Sequence, residues 1–332
     1  MNPHTEMKKG RLVISLDFEI YWGVHDAVSL EKYRDNLLGV RKVIPGLLQL
    51  FKQYGINATF ATVGLLFFND KKDLLNHLPE QKPEYIKPEL SPYHSQILLA
   101  GKNEEQDPLR FGLSLIKEIQ NAGQEIGCHT FSHYYCLEKG QTPEDFRADL
   151  ICAKYIAEKR GVELKSFIFP RNQYNETYLH LCKEEGFTSF RGNERSSLFS
   201  SKTQGRETLF RRPFRLADAY LNLSGYNCYS DEEMKKDQLI NIPSSRFLRP
   251  FSKKLSFLDN LKLKRITDSM DYAARNGLTY HLWWHPHNFG IHVSENFFFL
   301  EKILLHFKKL KAAYNFESMS MKQLANDLNK DK

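Results

Sequence analysis

The sequence predicts an α/β fold in which strands and helices alternate around a parallel sheet, with a (β/α) barrel as the first reading and an open doubly wound sheet as the second. Three observations carry this. Short apolar segments of strand length alternate with longer segments of helical period, six or seven times in 332 residues and without internal sequence repetition. The segments rich in His, Asp, Glu and Arg follow predicted strands, at the carboxyl ends where both architectures place their active sites. The composition, 41% hydrophobic and 26% charged, is that of an ordinary globular chain able to bury a sizeable core.

The elements follow in order. Residues 11–18 alternate and then run apolar into Asp17, as an interior strand does. Residues 31–54 carry Leu37, Leu38, Val40, Val43, Ile44, Leu47, Leu48 and Phe51 near helical period, and Gly55 is the expected stop. Residues 57–63 are a second strand, which completes a βαβ unit. Residues 66–109, interrupted by Pro79, Pro83, Pro88, Pro92 and Pro108, read as an irregular insertion with one short helix near 71–77. The rhythm resumes with helices at 110–122, 143–160 and 175–185 and strands at 124–129, 164–169 and 188–191. An Arg-rich region at about 192–260 reads as irregular, followed by a helix at 260–276, a strand at 279–284, a helix at 294–311, a strand near 316–319 and a last helix from about 320. The chain is expected to form a single domain over 1–332.

Composition excludes several classes. No run approaches the ~18 apolar residues of a spanning helix, and the polar start, Met1 to Gly10, has no export-signal pattern, so a cytoplasmic location is expected. Five cysteines, an odd number without framework spacing, argue against a disulfide scaffold. A net charge of +7 spread over the chain gives no nucleic-acid signature, although it favours acidic or phosphorylated partners.

Two segments carry the chemistry. Asp17 and Glu19 stand at i and i+2, so on a strand both carboxylates reach one side. His129 and His133 stand at i and i+4, neighbours if a helical turn begins there, a common spacing for zinc ligands. The plainer reading of that segment is a helix start capped by Thr130 or Ser132. Clustered carboxylates repel unless a cation settles them. A divalent metal held by Glu19, His129 and His133 would do so and leave Asp17 to take a proton from water. His285 closes the apolar strand 279–284 and is suited to protonate a leaving amine, while His281, His287 and His292 read as strand and loop histidines. Arg171, in Phe169-Pro170-Arg171-Asn172, is placed to hold the base carboxylate, or is an ordinary Arg after a Pro turn.

The order Asp17-x-Glu19, His129-x-x-x-His133, a Pro/Arg segment and a strand ending in His285 resembles the NodB-type polysaccharide deacetylases (carbohydrate esterase family 4), from residue 11 to about 290. The resemblance implies a distorted (β/α)7 barrel that removes acetyl groups, usually N-acetyl from amino sugars, with one divalent metal. It implies Asp17 as catalytic base, Glu19, His129 and His133 as ligands and His285 as catalytic acid. Zinc is the first metal expected, with cobalt, manganese, nickel or iron as alternatives. The acids here are separated by Phe18 and the ligand is Glu, as in the branch with an Asp-x-Asp/Glu pattern, and Phe-Pro-Arg-Asn departs from the usual Arg-Pro-Pro. An oxyanion is expected against the metal and a backbone N–H near Asn172, with Asn172, Trp284 and Arg191 as substrate contacts.

Two basic stretches remain. Arg191, Arg195, Arg206, Arg211, Arg212 and Arg215 form either a solvated basic face or a clamp for a substrate phosphate or carboxylate. From Arg246 to Arg265 seven Lys/Arg face one acid, Asp259; a lid or docked helix is the first reading and contact with an anionic membrane surface the second. The expected function is removal of an acetyl group from an amino sugar of a surface-polysaccharide or lipopolysaccharide precursor. The alternatives are a hydrolase of a non-sugar linear amide, an inactive glycan-binding relative and, more remotely, a non-haem iron oxygenase with a two-His, one-carboxylate triad.

Overall fold

A computed structural model describes residues 9–195 and 211–330. Strand β1 (Arg11–Phe18) is buried along its whole length, and its alternation organises the molecule. Leu12, Ile14, Leu16 and Phe18 point outward into the main core beneath the helices. Val13, Ser15 and Asp17 point inward, grading from apolar to polar to charged towards the carboxyl end.

Helix α1 (Leu30–Tyr54) crosses to β2 (Ala58–Thr62), and its turn ends on Gly55, whose φ of 65° is the left-handed cap conformation that glycine adopts without strain. After α2 (Lys71–Leu75), helix α3 (Leu113–Asn121) leads to β3 (Glu125–Cys128). Helix α4 (Pro143–Lys159), opened by a Thr142–Asp145 capping box, leads to β4 (Ser166–Phe167). Helix α5 (Glu176–Glu184) leads to β5 (Ser189–Phe190).

The Arg-rich region contains more order than its composition suggests. It holds α6 (Arg211–Asp218), α7 (Asp231–Met234), β6 (Ile240–Asn241) and β7 (Arg246–Phe247). Then come α8 (Asp259–Asn276), β8 (Thr279–Trp284), α9 (Val293–Tyr314), β9 (Glu317–Ser318) and α10 (Met321–Lys330).

All named strand pairs are parallel, in the order β6-β5-β4-β3-β2-β1-β8-β7, with β9 extending β1 at its amino end. The chain between β6 and β7 joins the two edges. Ile242 and Ser244 donate backbone N–H bonds to Phe190 and Gly192 on one side, while Ser245 and Leu248 donate to His281 and Trp283 on the other. Residues 240–248 thus act as one stave that completes a distorted (β/α) barrel. No periodic apolar run announces this stave, because its hydrogen bonds are divided between two partners over two-residue strands.

The amino-terminal mouth is closed by α10. Met321, Leu324 and Leu328 pack with the inward-facing Val13, Ala61, Ile168 and Ile242. With that end filled, the carboxyl end is the open one. Of the seven basic residues between 246 and 265, Arg246, Lys262 and Arg265 are buried, so they do not present a lipid-facing charge. Among the described residues no helix is long and apolar enough to cross a membrane.

Candidate active site

Four strand ends deliver the site. Glu19 follows β1 and turns back over its end, and Gly23 makes room for it: a Cβ at Gly23 would lie 1.9 Å from the Glu19 carboxyl carbon. His129 follows β3, its backbone N–H bonded to the Thr62 carbonyl at the end of β2. The segment 129–133 is not the start of a helix. Thr130 (φ 61°) and His133 (φ 59°) are left-handed, and buried Asp149 of α4 accepts the N–H groups of Phe131 (2.6 Å) and Ser132 (3.0 Å). A looped backbone therefore brings the two imidazoles together, with ring centroids 5.1 Å apart. Burial pushes the Asp149 carboxyl up to about 6, against the opposing effect of these bonds.

The hydrogen bonds on the far side of each ring decide what the near side offers. His129 Nδ1 lies 2.8 Å from the Ile168 carbonyl, which can only accept, so Nδ1 carries the proton and Nε2 presents a lone pair. His133 Nδ1 lies 3.1 Å from the Tyr135 hydroxyl, which itself donates to Asp26 Oδ1 at 3.2 Å, so the same tautomer follows. Both Nε2 atoms then face Glu19 Oε2, at 3.3 and 3.0 Å. Acceptors facing an acceptor in a buried site would be settled by a cation between them. A protonated His133 is disfavoured at neutral pH, since burial lowers it to about 4 despite Glu19. One donor atom from each of Glu19, His129 and His133 lies within 4.8 Å of the others. Ligands ~2.0–2.2 Å from a tetrahedral ion stand roughly 3.3 Å apart, close to these separations. The residues fit a divalent metal, and the fixed Nδ1 partners are the orienting contacts that such ligands have.

Asp17 stands beside this group, paired with Arg191, which follows β5. Arg191 donates to Asp17 Oδ1 (2.7 Å) and Oδ2 (2.8 Å), and also to Ser15 Oγ (3.1 Å) and Asn172 Oδ1 (3.0 Å). Its guanidinium lies 4.1 Å from the centre of the Trp283 ring. Burial opposes the Asp17 charge, but Arg191 together with His129 and His285 outweighs it and holds the carboxyl below its ordinary range. His285 Nε2 is 3.7 Å from both Asp17 Oδ2 and Glu19 Oε1, so both carboxylates and the histidine share one space.

Three expectations need correction. Arg171 does not hold Asp17. Its backbone is left-handed (φ 54°), which turns the side chain onto the Tyr135 ring (4.0 Å) and into an ion pair with Asp26. It therefore supports the contact behind His133. The Asn172 N–H is engaged with the Phe169 carbonyl at 2.9 Å and is not available to an oxyanion; the Asn172 side chain lines the cavity. Trp284 is fully buried, stacked on Phe289, and Trp283 lines the cavity instead, because inward residues of β8 share the parity of His281 and His285.

Sequence reasoning also missed His287. It is buried, stacked on His285 at 5.0 Å, with Nδ1 3.9 Å from Glu19 Oε1. Its only signal was proximity to His285. His281 lies in the barrel interior, bonded to the Ile242 carbonyl (3.0 Å) and Ser15 Oγ (2.8 Å). Among the Arg-rich residues, Arg195 pairs with Glu233 and Arg215 lines the cavity, while Arg206 and the side chains of Arg211 and Arg212 lie outside the described residues. The cavity, about 710 Å³, opens beside His285 and Trp283.

Comparison with known proteins bears on the family resemblance and the fold. Residues 33–190 match the family model for polysaccharide deacetylase. A crystal structure of a Mycobacterium smegmatis protein described as a polysaccharide deacetylase superposes with a TM-score of 0.59 at 14% identity, covering 100% of this chain and 94% of its own. A Pseudomonas aeruginosa PAO1 protein described in the same way gives 0.54 at 11% identity, with 97% and 90% covered. The PuuE allantoinase gives 0.54 at 11% identity, with 96% and 89% covered. No curated protein matches the chain. The family resemblance and the distorted barrel of NodB type are thereby met.

Proposed function

We propose that this polysaccharide-deacetylase-type chain is a metal-dependent hydrolase that removes an acetyl group, as N-acetyl, from an amino sugar of a surface-polysaccharide or lipopolysaccharide precursor. One observation carries the reading. Three buried ligand atoms converge beside a separate carboxylate held by Arg191, with a histidine within reach of both. Glu19, His129 and His133 would hold the ion, zinc first among the candidates, which when bound polarises an acyl oxygen and makes water more acidic.

The chain's own residues supply the rest. Asp17, ionised and oriented by Arg191, accepts a proton from the water that attacks the acyl carbon. His285 delivers a proton to the nitrogen as the C–N bond breaks, releasing acetate and a free amine. The half-buried rings of Trp283 and Phe247, an edge-to-face pair with centroids 4.8 Å apart at the cavity, offer a surface for a sugar ring.

The test is an acetate-release screen of metal-loaded protein against N-acetylhexosamine nucleotides, oligosaccharides and lipid-linked sugars. Turnover with zinc under anaerobic conditions supports hydrolysis and excludes an oxygenase. Absence of acetate from every member would defeat the proposal, and binding without turnover would favour an inactive glycan-binding relative.

A further inference from the structure

The cavity lined by His285 and Trp283 is also lined by Arg215, Arg246 and Arg249. We infer that these three arginines form an anion subsite, which takes a phosphate or carboxylate group carried by the same acylamino substrate whose acetyl group reaches Asp17. The inference rests on the deacetylase reading for what occupies the rest of the cavity.

Arg246 is 4% exposed, and its Nη1 is satisfied by Asp218 Oδ2 (2.7 Å) and the Asp218 carbonyl (3.0 Å). Its Nε and Nη2 are buried and have no hydrogen-bond partner among the described residues. A buried guanidinium edge left open beside a cavity is costly unless something with lone pairs arrives to meet it. Arg249 makes no ion pair among the described residues, and burial lowers its pKa, an effect to which Arg215 and Arg246 add. Glu194, the one acid among the described residues lining the cavity, does not cancel these charges, because burial raises its carboxyl to about 8 against the pull of Arg246. The cavity therefore brings His285 and Trp283 together with three arginines, of which Arg246 is paired with Asp218. Guanidinium groups recognise planar or tetrahedral oxyanions through paired N–H donors, which matches phosphate and carboxylate.

The experiment measures binding of inorganic phosphate and, separately, glucuronate to the full-length protein by calorimetry, in wild type, Arg249→Gln, Arg249→Lys and Glu19→Gln. The expected result is measurable binding of at least one anion, weakened about tenfold or more by Arg249→Gln. Arg249→Lys should keep most of it and Glu19→Gln should leave it in place. The tighter anion names the group. Affinity within twofold of wild type in folded Arg249→Gln, or binding lost in Glu19→Gln and kept in Arg249→Gln, overturns the inference and assigns the anion to the metal ligands. The two readings separate cleanly: anion binding at Arg249 without acetate release defeats the deacetylase, and acetate release without anion binding defeats the subsite.

Discussion

Replacing Arg191 by Met is the most informative perturbation of the catalytic base. Arg191 is 1% exposed and forms a two-pronged pair with Asp17 at 2.7 and 2.8 Å. Each such bond to a charged group is worth ~1.5–3 kcal/mol, and stripping one partner from a buried pair costs ~3–5 kcal/mol. If ~3 kcal/mol of that acted on the Asp17 charge, the carboxyl pKa would rise by about 2 units. The sign is fixed by the role. A base works ionised, so activity falls as pH drops through its pKa, and a raised pKa moves that fall to higher pH. The acid limb of the kcat/KM profile should therefore shift upward by about 2 units in Arg191→Met. Arg191→Lys, which keeps the charge but not the fork, should shift it less. Arg171→Met, whose partner is Asp26, should leave the limb in place. Thermal melting of each variant before assay separates misfolding from catalysis. An unmoved limb in folded Arg191→Met, or a shift in Arg171→Met instead, would refute the assignment.

Other outcomes follow from the same geometry. Gly23→Ala places a methyl group within 1.9–2.3 Å of the Glu19 carboxyl atoms, so bound metal by mass spectrometry should fall well below one per chain while the fold persists. Tyr135→Phe removes the contact that fixes His133 and should weaken metal affinity roughly 10–100-fold, read by competition with a chelating dye. The two tryptophans should part company. Trp284→Ala should lower stability by ~3–5 kcal/mol in a denaturant titration, whereas Trp283→Ala should raise KM with a smaller loss of stability.

What the sequence revealed and what it hid have physical reasons. β1, α1, β8 and α9 were legible because each buries a long regular stripe, and period is visible only where burial is continuous. The closing stave at 240–248 was not, since its pairing is split between β5 and β8. Asp17, Glu19, His129, His133 and His285 were found because metal and acid–base chemistry restricts residue type and places it after strands. Arg191, expected as a substrate contact, holds Asp17 in place of Arg171 because an arginine's reach depends on backbone direction, and the left-handed turn at Arg171 has no mark in Phe169-Pro170-Arg171-Asn172. Trp283 could have been chosen over Trp284 by counting in twos back from His285, a parity that residue type alone conceals. The supporting residues Tyr135, Asp26 and Asp149 act through hydrogen bonds spanning the fold, and these leave no pattern in one sequence.

The central claim is a division of labour, with Glu19, His129 and His133 holding the ion and Asp17 taking the proton. The most direct measurement is metal content together with acetate-release kcat for Asp17→Asn beside wild type, on whichever N-acetylated sugar the screen finds. The account predicts a full complement of metal in the variant and a kcat lower by roughly 10²–10⁴. Undiminished turnover in Asp17→Asn, or loss of the metal along with the activity, would contradict it.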